Sequence, residues 1–324
     1  MIYSLTPNPA LDISGTVDEI VPDEKNYVYD ERASPGGNGI NAARMITTLN
    51  APVIASGFLG GGNGQELARL LKEEGVRHSF IPIQGNTRMG ITVNLRKTHH
   101  QTRLSFQGPK ILRSERQSFF QFISKIKSPS ILVLGGSLPP GFSTHDVRKA
   151  LQIAAKRKIP CVVDIPGKLL REVVSHTQIS FIKPNLVEFQ DLVGANVTSI
   201  KAVREASKKL SEKIPLICVS SVEGGALFIT HNGTWHGRGP KVKAKSSVGA
   251  GDSMVGGMTA QLWKKGLVTK HGLNLTQAAS DDLEDIFRWG LACAIATITS
   301  PGTVLGKRSQ IQTYYPKIQI QKIS

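Results

Sequence analysis

The sequence is poor in aromatic residues, although its formal net charge of +16 would suit a nucleic-acid partner. Phe, Trp and Tyr together make up 6% of the chain, and they are not spaced among basic residues as platforms for base stacking would be. The lysines and arginines are scattered along the chain and are not gathered in one block. Composition therefore argues against a nucleic-acid-binding protein, and the positive charge is consistent with the attraction of polyphosphate substrates.

Cysteine and long apolar segments are also scarce. The three cysteines, Cys161, Cys218 and Cys293, lie in separate apolar runs without CxxC spacing, which argues against a zinc site and against a disulfide framework. The apolar run LACAIATI at 291–298 is much shorter than the roughly 20 residues of a membrane span. The first residues, MIYSLTPNPALDI, lack the basic and apolar regions of a signal peptide. We expect a cytoplasmic protein with buried free thiols and no membrane partner.

Strand and helix patterns alternate through most of the chain. The runs at 131–136, 161–165, 179–185 and 215–221 predict buried strands, and the segments at 144–158 and 199–213 carry apolar residues at helical spacing. This alternation predicts an α/β protein with a mainly parallel sheet covered on both faces. Ligands bind such sheets beyond the carboxyl ends of the strands.

Two segments, 11–32 and 86–107, interrupt the alternation with strand pairs that have no intervening helix. We predict that they form a small β-sheet lid over the edge of the main sheet. The remaining segments, 1–10, 33–85 and 108–324, are then assigned to the α/β domain.

The segment SSVGAGDSMVGGM at 246–258 carries the clearest chemistry. Small residues at 249–251 expose backbone N–H groups at the start of a predicted helix, and such groups attract phosphate. Asp252 follows them, where a carboxylate can accept a hydroxyl proton while the amides hold a transferring phosphoryl group. A helix cap with small-residue packing fits the same letters. No GxxxxGK[ST] sequence is present.

Three further motifs are ambiguous when each is read alone. SPGGNGINAAR at 34–44 is either a glycine-rich turn with a helix cap or a polar floor for sugar hydroxyls. Asp12 follows the first predicted strand and is either a turn residue or an acceptor for two vicinal hydroxyls. Asn185 and Glu188 in IKPNLVEF fit both a capping box and outer-sphere coordination of hydrated Mg²⁺.

Together, PGGNGINAAR and VGAGDSMVGGM resemble the two signatures of the PfkB family of ribokinase-like sugar kinases. The similarity includes GSLPPG at 136–141 and KPNxxE at 183–188, and it runs through essentially the whole chain. The resemblance implies a ribokinase-like three-layer α/β sandwich with a mainly parallel central sheet, a small β-sheet lid that often forms the dimer contact, and MgATP as phosphoryl donor. We accordingly expect a homodimer that contacts itself through the lid.

The resemblance also implies residue roles by matching motif. It makes Asp252 the general base and the backbone of Gly249, Ala250 and Gly251 the anion hole. It assigns substrate binding to Asp12, Lys25, Gly37, Asn38, Asn41, Arg88 and Ser137, of which Lys25 and Arg88 match positions that hold the phosphate of a phosphosugar. It assigns the nucleotide to Lys183, Asn185, Glu188, Ser220 and Gly225, with Asn185 and Glu188 holding Mg²⁺ through water. It further admits a K⁺ site near Ser246, Val248 and Gly302.

The sequence departs from the family patterns at positions that bear on the substrate. Asn38 stands where the branches for fructose 1-phosphate and tagatose 6-phosphate carry Lys and the branch for fructose 6-phosphate carries Gly, and Val222 stands where a glycine is usual in the nucleotide loop. Val304 favours fructose 1-phosphate, whereas Lys25 favours fructose 6-phosphate.

We expect a kinase that makes a ketohexose bisphosphate, with fructose 6-phosphate slightly favoured over fructose 1-phosphate. Tagatose 6-phosphate is a further candidate substrate. The alternatives are a kinase for an unphosphorylated sugar or nucleoside on the same fold, and a non-catalytic sensor of sugar phosphates or nucleotides.

Overall fold

The computed structural model of the protein describes residues 1–98 and 100–323, so His99, in the second lid segment, and Ser324 lie outside the described residues. In chain order the strands are β1 (Ile2–Thr6), β2 (Ala10–Val17), β3 (Tyr29–Gly36), β4 (Val53–Leu59), β5 (Ile81–Pro82), β6 (Arg88–Leu95), β7 (Gln101–Ser105), β8 (Ile131–Gly135), β9 (Cys161–Asp164), β10 (Phe181–Ile182), β11 (Leu216–Val222), β12 (Gly225–Thr230), β13 (Gly233–Arg238), β14 (Val268–Thr269), β15 (Gly272–Leu273) and β16 (Gln319–Lys322).

The helices lie between these strands as the alternating pattern predicts. They are α1 (Asn38–Thr48), α2 (Gly61–Glu73), α3 (Arg113–Lys125), α4 (Thr144–Lys156), α5 (Gly167–Val174), α6 (Leu186–Val193), α7 (Ile200–Ser211), α8 (Ala250–Lys264), α9 (Ser280–Ile298) and α10 (Arg308–Tyr314). The two helices predicted at 144–158 and 199–213 correspond to α4 and α7.

The main sheet has the strand order β16-β13-β12-β11-β10-β9-β8-β1-β4-β5. In this spatial order, neighbouring strands from β11 through β10, β9, β8, β1 and β4 to β5 pair in parallel. Strands β12, β13 and β16 extend the sheet beyond β11 with antiparallel pairings. All five residues of β8 are buried, as are all four of β9, because both faces of this part of the sheet are covered. The predicted strands at 131–136, 161–165, 179–185 and 215–221 are therefore confirmed, although β10 spans only two residues.

Helices cover both faces of the sheet and form a three-layer sandwich. Alternate residues of β8 point to opposite faces, so that Ile131 and Val133 join one core while Leu132 and Leu134 join the other. The first core holds side chains from α1, α2, α8 and α9, and the second holds side chains from α3 to α7. The predicted α/β sandwich with a mainly parallel central sheet is confirmed.

A separate four-stranded sheet has the order β3-β2-β6-β7, in which β2 and β6 run parallel and the outer pairings are antiparallel. We call it the lid sheet. The predicted small separate sheet is thus confirmed, and its strand β3 continues to Gly36, beyond residue 32 where we ended the first lid segment.

The two faces of the lid sheet differ in polarity. Side chains alternate between the two faces along each strand, and residues paired across strands share a face. The register therefore places polar side chains together on one face, namely Asp12, Ser14, Arg88, Thr92, Arg103 and Ser105. The opposite face carries an apolar set, namely Leu11, Ile13, Met89, Ile91, Val93 and Leu104.

Within the described ranges, none of the helices has the length and apolar character needed to cross a membrane. The three cysteines are free and buried, as the composition predicted.

Candidate active site

A cavity of about 350 Å³ lies where the polar face of the lid sheet meets the carboxyl ends of the parallel strands and the first turn of α8. Many of the residues singled out in the sequence line it, namely Asp12, Gly37, Asn38, Asn41, Arg88, Lys183, Asn185, Glu188, Val248, Gly249, Gly251 and Asp252. These residues come from distant parts of the chain and meet because parallel strands end at the same edge of a sheet.

Asp252 lies in the first turn of α8, with its carboxylate buried. Its Oδ2 accepts a hydrogen bond of 2.8 Å from Asn41 Nδ2. Burial, followed by the negative charge of Asp164, raises the pKa of Asp252 to about 6, against the opposing effect of the Asn41 hydrogen bond. The charges of Lys183 and Arg103 also act to lower this pKa. A carboxylate with this pKa is ionised at neutral pH and close enough to neutrality to accept a proton.

The turn before Asp252 exposes backbone amides. Gly249, at the N-cap of α8, has a left-handed φ of 73°, which a residue with a Cβ adopts only with strain. Gly251 faces the buried Lys183, since a Cβ built at position 251 would lie 3.0 Å from Lys183 Nζ. The backbone amides of the first turn, the positive end of the helix dipole and an ammonium group thus share one space, which fits an anionic phosphoryl group.

Lys183 is held among carboxylates at the end of β10. Its Nζ lies 3.6 Å from Asp164 Oδ1. Burial acts to lower the pKa of Lys183, but the negative charges of Asp164, Glu188 and Asp252 outweigh it and raise the pKa, so the side chain stays an ammonium group.

Asn185 and Glu188 form the capping box of α6. Asn185 Oδ1 accepts from the Glu188 N–H at 2.9 Å, and Glu188 Oε2 accepts from the Asn185 N–H at the same distance. Burial is the main cause that raises the pKa of Glu188. Both residues also line the cavity, so the capping role is confirmed and the role in holding hydrated Mg²⁺ stays a prediction. Among residues 1–98 and 100–323, no group of three His, Cys, Asp or Glu side chains is arranged to hold a metal ion directly.

The opposite wall of the cavity belongs to the lid sheet. Arg88 Nε and Nη2 each donate to the Asn8 carbonyl at 3.2 Å, and Arg88 Nη1 donates to Ser105 Oγ at 3.1 Å. Burial lowers the pKa of Arg88, and the Asp12 carboxylate acts in the opposite direction. Burial raises the pKa of Asp12, against the charges of Arg88 and Arg103. This wall therefore combines one carboxylate with two guanidinium groups.

An adjoining cavity of about 250 Å³ shares Gly37, Asn38 and Arg88 with the first and adds Ser137 to its lining. Ser137 Oγ accepts a hydrogen bond of 3.1 Å from Asn8 Nδ2. The two cavities therefore adjoin each other and share part of their lining, including Asn38.

Several of the residues singled out in the sequence do not line these two cavities, namely Lys25, Ser220, Gly225, Ala250, Ser246 and Gly302. Lys25 lies in the exposed loop between β2 and β3, with its Nζ 5.0 Å from the centre of the Tyr27 ring. Ser220 and Gly225 flank the turn that joins β11 to β12, and the Val222 side chain between them is fully buried in the core.

Ala250 is the first residue of α8, between two glycines that line the cavity. Ser246, three residues before Gly249, accepts at its Oγ a hydrogen bond of 3.2 Å from the Val248 N–H. Gly302 lines a different cavity of about 250 Å³, which also contains Ser14 and Arg32 of the lid sheet.

Two residues at the site carried no motif in the sequence. Asp164 ends β9, and the rule that ligands bind at the carboxyl ends of parallel strands was the signal that could have identified it. Arg103 lies on β7 opposite Thr92, and only the register of the lid sheet brings it to the cavity.

Comparison with known proteins places these features in one family. Residues 8–309 match the family described as pfkB family carbohydrate kinase. The chain is 32% identical over 316 residues to the ATP-dependent 6-phosphofructokinase isozyme 2 of Escherichia coli (strain K12), which covers 97% of both chains. It is 28% identical to the 1-phosphofructokinase of Bacillus subtilis (strain 168) over the full length of both. It is 34% identical over 267 residues to a tagatose-6-phosphate kinase of Staphylococcus epidermidis, covering 81% of this chain and 85% of the relative.

Solved structures of phosphofructokinase-2 from Escherichia coli share the fold. The complex with substrates and products superimposes with a TM-score of 0.89 at 31% identity, covering 97% of this chain and 98% of the other. The complex with potassium gives a TM-score of 0.88 at 32% identity, with the same coverage. A tetrameric inhibited form of that enzyme gives 0.86 at 31% identity, again with the same coverage.

Proposed function

Because the chain belongs to the pfkB family of carbohydrate kinases, we propose that it transfers a phosphoryl group from ATP to a hydroxyl of a phosphorylated ketohexose. ATP is the co-substrate of such a kinase. Fructose 6-phosphate is the first candidate acceptor and fructose 1-phosphate the second, and both would yield fructose 1,6-bisphosphate. Tagatose 6-phosphate is the third.

The observation that carries this proposal is the pairing of two walls across one cavity. Asp252 and Lys183 lie on the side of the α/β sandwich, and Arg88 and Arg103 lie on the side of the lid sheet. A neutral sugar needs no pair of guanidinium groups, whereas a sugar phosphate is bound well by them. The two arginines therefore favour a phosphorylated acceptor over an unphosphorylated sugar or a nucleoside.

We assign Asp252 the role of general base. Its carboxylate removes the proton of the attacking hydroxyl, while the backbone amides of Gly249, Ala250 and Gly251 bind the transferring phosphoryl group. The hydrogen bond from Asn41 holds one carboxylate oxygen and leaves the other free for that proton. An intact base also argues against a non-catalytic sensor, which would not require one.

The nucleotide phosphates are proposed to lie beside Lys183 and the first turn of α8. Lys183 supplies a buried charge there, and Asn185 and Glu188 would hold Mg²⁺ through water, since both residues line the cavity. The metal, when bound, would neutralise charge on the phosphates. Ser220 and Gly225 are proposed for the part of the nucleotide that extends beyond these cavities.

A K⁺ site near Ser246, Val248 and Gly302 belongs to the same proposal, and a solved relative is described in complex with potassium. Ser246 Oγ and Val248 are already neighbours, next to the turn that carries Gly249.

The phosphosugar is proposed to lie against the lid sheet. Arg88, joined by Arg103, binds its existing phosphate, and Asp12 accepts hydrogen bonds from its hydroxyls. The remaining polar contacts are proposed to come from Gly37, Asn38, Asn41 and Ser137. Lys25 stays a candidate for the phosphate clamp, although its side chain lies outside both cavities in this conformation.

We further propose a homodimer that contacts itself through the lid sheet. Three of the large apolar side chains that are exposed, Tyr27 at 64%, Leu104 at 53% and Phe106 at 52%, belong to this region. Large exposed apolar side chains gathered in one region often mark an interface. The tetrameric form of the Escherichia coli relative is consistent with self-association. We place the protein in the cytoplasm, because its three free cysteines suit a reducing compartment.

The proposal is tested by measuring ADP release from MgATP with purified protein. Fructose 6-phosphate, fructose 1-phosphate, tagatose 6-phosphate, fructose and adenosine are offered separately and kcat/KM is compared. We expect one phosphorylated ketohexose to be preferred by at least about a hundredfold over fructose, given the strength of charge-assisted contacts to phosphate. Activity on fructose or adenosine alone would contradict the assignment of the arginines. Nucleotide binding without turnover of any acceptor would favour the sensor.

A further inference from the structure

A chain of hydrogen bonds runs from the surface of the protein to Asp252. Arg44, on α1, is 9% exposed, and its Nε and Nη2 donate to Glu74 Oε2 and Oε1 at 2.6 and 2.7 Å. Its third nitrogen, Nη1, donates to Asn41 Oδ1 at 3.2 Å. Asn41 Nδ2 in turn donates to Asp252 Oδ2 at 2.8 Å. The four side chains therefore form one continuous network, in which Glu74, at 38% side-chain exposure, is the solvent end.

On the basis of the proposed function, we infer that Arg44 and Glu74 are positioning residues, which fix the side-chain amide of Asn41 so that it donates to the general base. Neither residue lines the cavity, so neither is placed to touch a substrate.

The chemistry of the groups carries this inference. An amide side chain can present either its oxygen or its NH₂ group to a carboxylate, and only the NH₂ group is attractive. A guanidinium group has donors and no acceptor, so it can bind only the amide oxygen. By binding Asn41 Oδ1, Arg44 directs Nδ2 toward Asp252. The bidentate ion pair with Glu74 in turn holds the guanidinium plane in place.

Arg44 also holds the glycine-rich loop. Its Nη1 donates to the Pro35 carbonyl at 3.2 Å, at the end of β3. A Cβ at the next residue, Gly36, would lie 2.1 Å from Asp12 Oδ2, so this stretch of backbone packs directly on the carboxylate assigned to the sugar hydroxyls. One guanidinium group thus connects the base of the reaction to the loop that faces the acceptor.

The surroundings of Asp252 decide how the loss of this network would appear in a pH profile. The ionisable groups that face Asp252 are Asp164 from β9, Lys183 after β10 and Arg103 from the lid sheet. Against these, the Asn41 hydrogen bond is a cause that lowers the pKa of Asp252. If Asn41 were free to turn, this effect would weaken or reverse, and Asp252 would become protonated at higher pH.

The test replaces Arg44 and measures kcat/KM for the preferred sugar phosphate as a function of pH. For Arg44→Met we expect kcat/KM at neutral pH to fall about 10- to 100-fold, which is typical when a supporting contact to a reacting group is lost. We also expect the acidic limb of the profile to move to higher pH by about one unit. The KM for ATP should change little. The matched control is Arg116→Met, which removes an arginine–carboxylate pair between α3 and α4 that does not line the cavity, and it should leave the profile unchanged.

A double-mutant cycle separates positioning from a general effect on stability or charge. If Arg44 acts through Asn41, then Arg44→Met should have little further effect on the pH profile in an Asn41→Ala background. An additive effect would overturn the inference. Arg44→Lys retains the positive charge but carries it on a single nitrogen. That nitrogen cannot form two parallel hydrogen bonds to Glu74 and also donate to Asn41. A normal profile for Arg44→Lys would show that charge alone matters, and it too would overturn the inference.

Glu74→Gln keeps the test decisive if Arg44→Met does not fold. This variant keeps Arg44, and it should move the acidic limb in the same direction by a smaller amount, whereas an unchanged profile counts against the role of Glu74 and of the network.

Asp252→Asn distinguishes a failure of the proposed function from a failure of the inference about Arg44 and Glu74. If Asp252→Asn turns over normally, both the proposed function and this inference fail. If Asp252→Asn is inactive but Arg44→Met has the same pH profile as the wild type, only the inference fails. The same conclusion follows from an unchanged profile of Glu74→Gln, if that variant has to replace Arg44→Met.

Discussion

The two walls of the cavity differ in how tightly their functional groups are held. On the side of the α/β sandwich, Asp252 and Lys183 are buried and surrounded by fixed partners. On the side of the lid sheet, Arg88 is half-buried and Arg103 is exposed, on a sheet whose opposite face is apolar. The first wall is built into the core of the molecule, whereas the second is one face of a separate layer.

This difference matches the two tasks that we propose. A base and an anion hole act best where burial strengthens electrostatic interactions and water is excluded. A group that admits and selects a sugar phosphate must remain accessible, and a charged sheet surface provides that. We therefore expect changes in the sandwich wall to act mainly on kcat and changes in the lid wall to act mainly on KM for the sugar phosphate.

Removal of the base should have the largest effect. Asp252→Asn keeps the shape of the side chain and its hydrogen bond with Asn41 but cannot accept the hydroxyl proton, so kcat should fall by about 10²- to 10⁴-fold. Nucleotide binding, measured by calorimetry, should persist. Asp282→Asn, which changes a surface carboxylate on α9 paired with Lys265, serves as the matched control and should have normal turnover.

Removal of the lid arginine should come next. Arg88→Ala takes away a planar pair of donors from the phosphate clamp, so KM for the sugar phosphate should rise about 10- to 100-fold while kcat changes less. Steady-state kinetics with saturating MgATP checks this. Arg96→Ala removes an exposed arginine in the turn that follows β6, paired with Asp18, and should leave KM unchanged. A similar rise in both variants would mean that the net charge of the lid is responsible and not a specific contact.

The pH profile of the wild type should report the buried base. Burial raises the pKa of Asp252 to about 6, and the proposed general base must be a carboxylate to accept the proton. Activity should accordingly be full above this value and fall about tenfold for each pH unit below it. An acidic limb centred near pH 4, the ordinary range of an exposed aspartate, would contradict the burial of the base in the working enzyme.

The exposed apolar side chains of the lid region should affect assembly more than chemistry. Tyr27→Glu places a charge among these side chains, outside both cavities, and should shift the protein toward the monomer in sedimentation velocity, with kcat altered only several-fold. Val187→Glu changes an exposed apolar residue on α6, outside the lid, and should leave the assembly as it is. An unchanged assembly in both variants would count against the homodimer through the lid.

The sequence predicted the sandwich wall better than the lid wall, for a physical reason. The turn at 249–251 and Asp252 are adjacent in the chain, so their spacing alone places amides and a carboxylate at one helix start. The capping pair Asn185 and Glu188 is local in the same sense. Such short-range features can be read from the order of residues.

The lid wall depends on strand register, which short-range patterns do not specify. Arg103 reaches the cavity because β7 pairs with β6 so that Thr92 lies opposite it. Conversely, Lys25 matched a family position but lies in an irregular, exposed loop outside the cavity. Arg44 and Asn41 are only three residues apart on one helix, so their contact could be expected from the sequence. The contacts of this pair with Glu74 and Asp252 depend on the tertiary structure.

The division between the two walls is tested most directly by measuring kcat and KM for the preferred sugar phosphate in Asp252→Asn and Arg88→Ala side by side. We expect a loss confined mainly to kcat in the first variant and a loss confined mainly to KM in the second. Near-normal kcat in Asp252→Asn, or a loss in Arg88→Ala that falls on kcat alone, would contradict it.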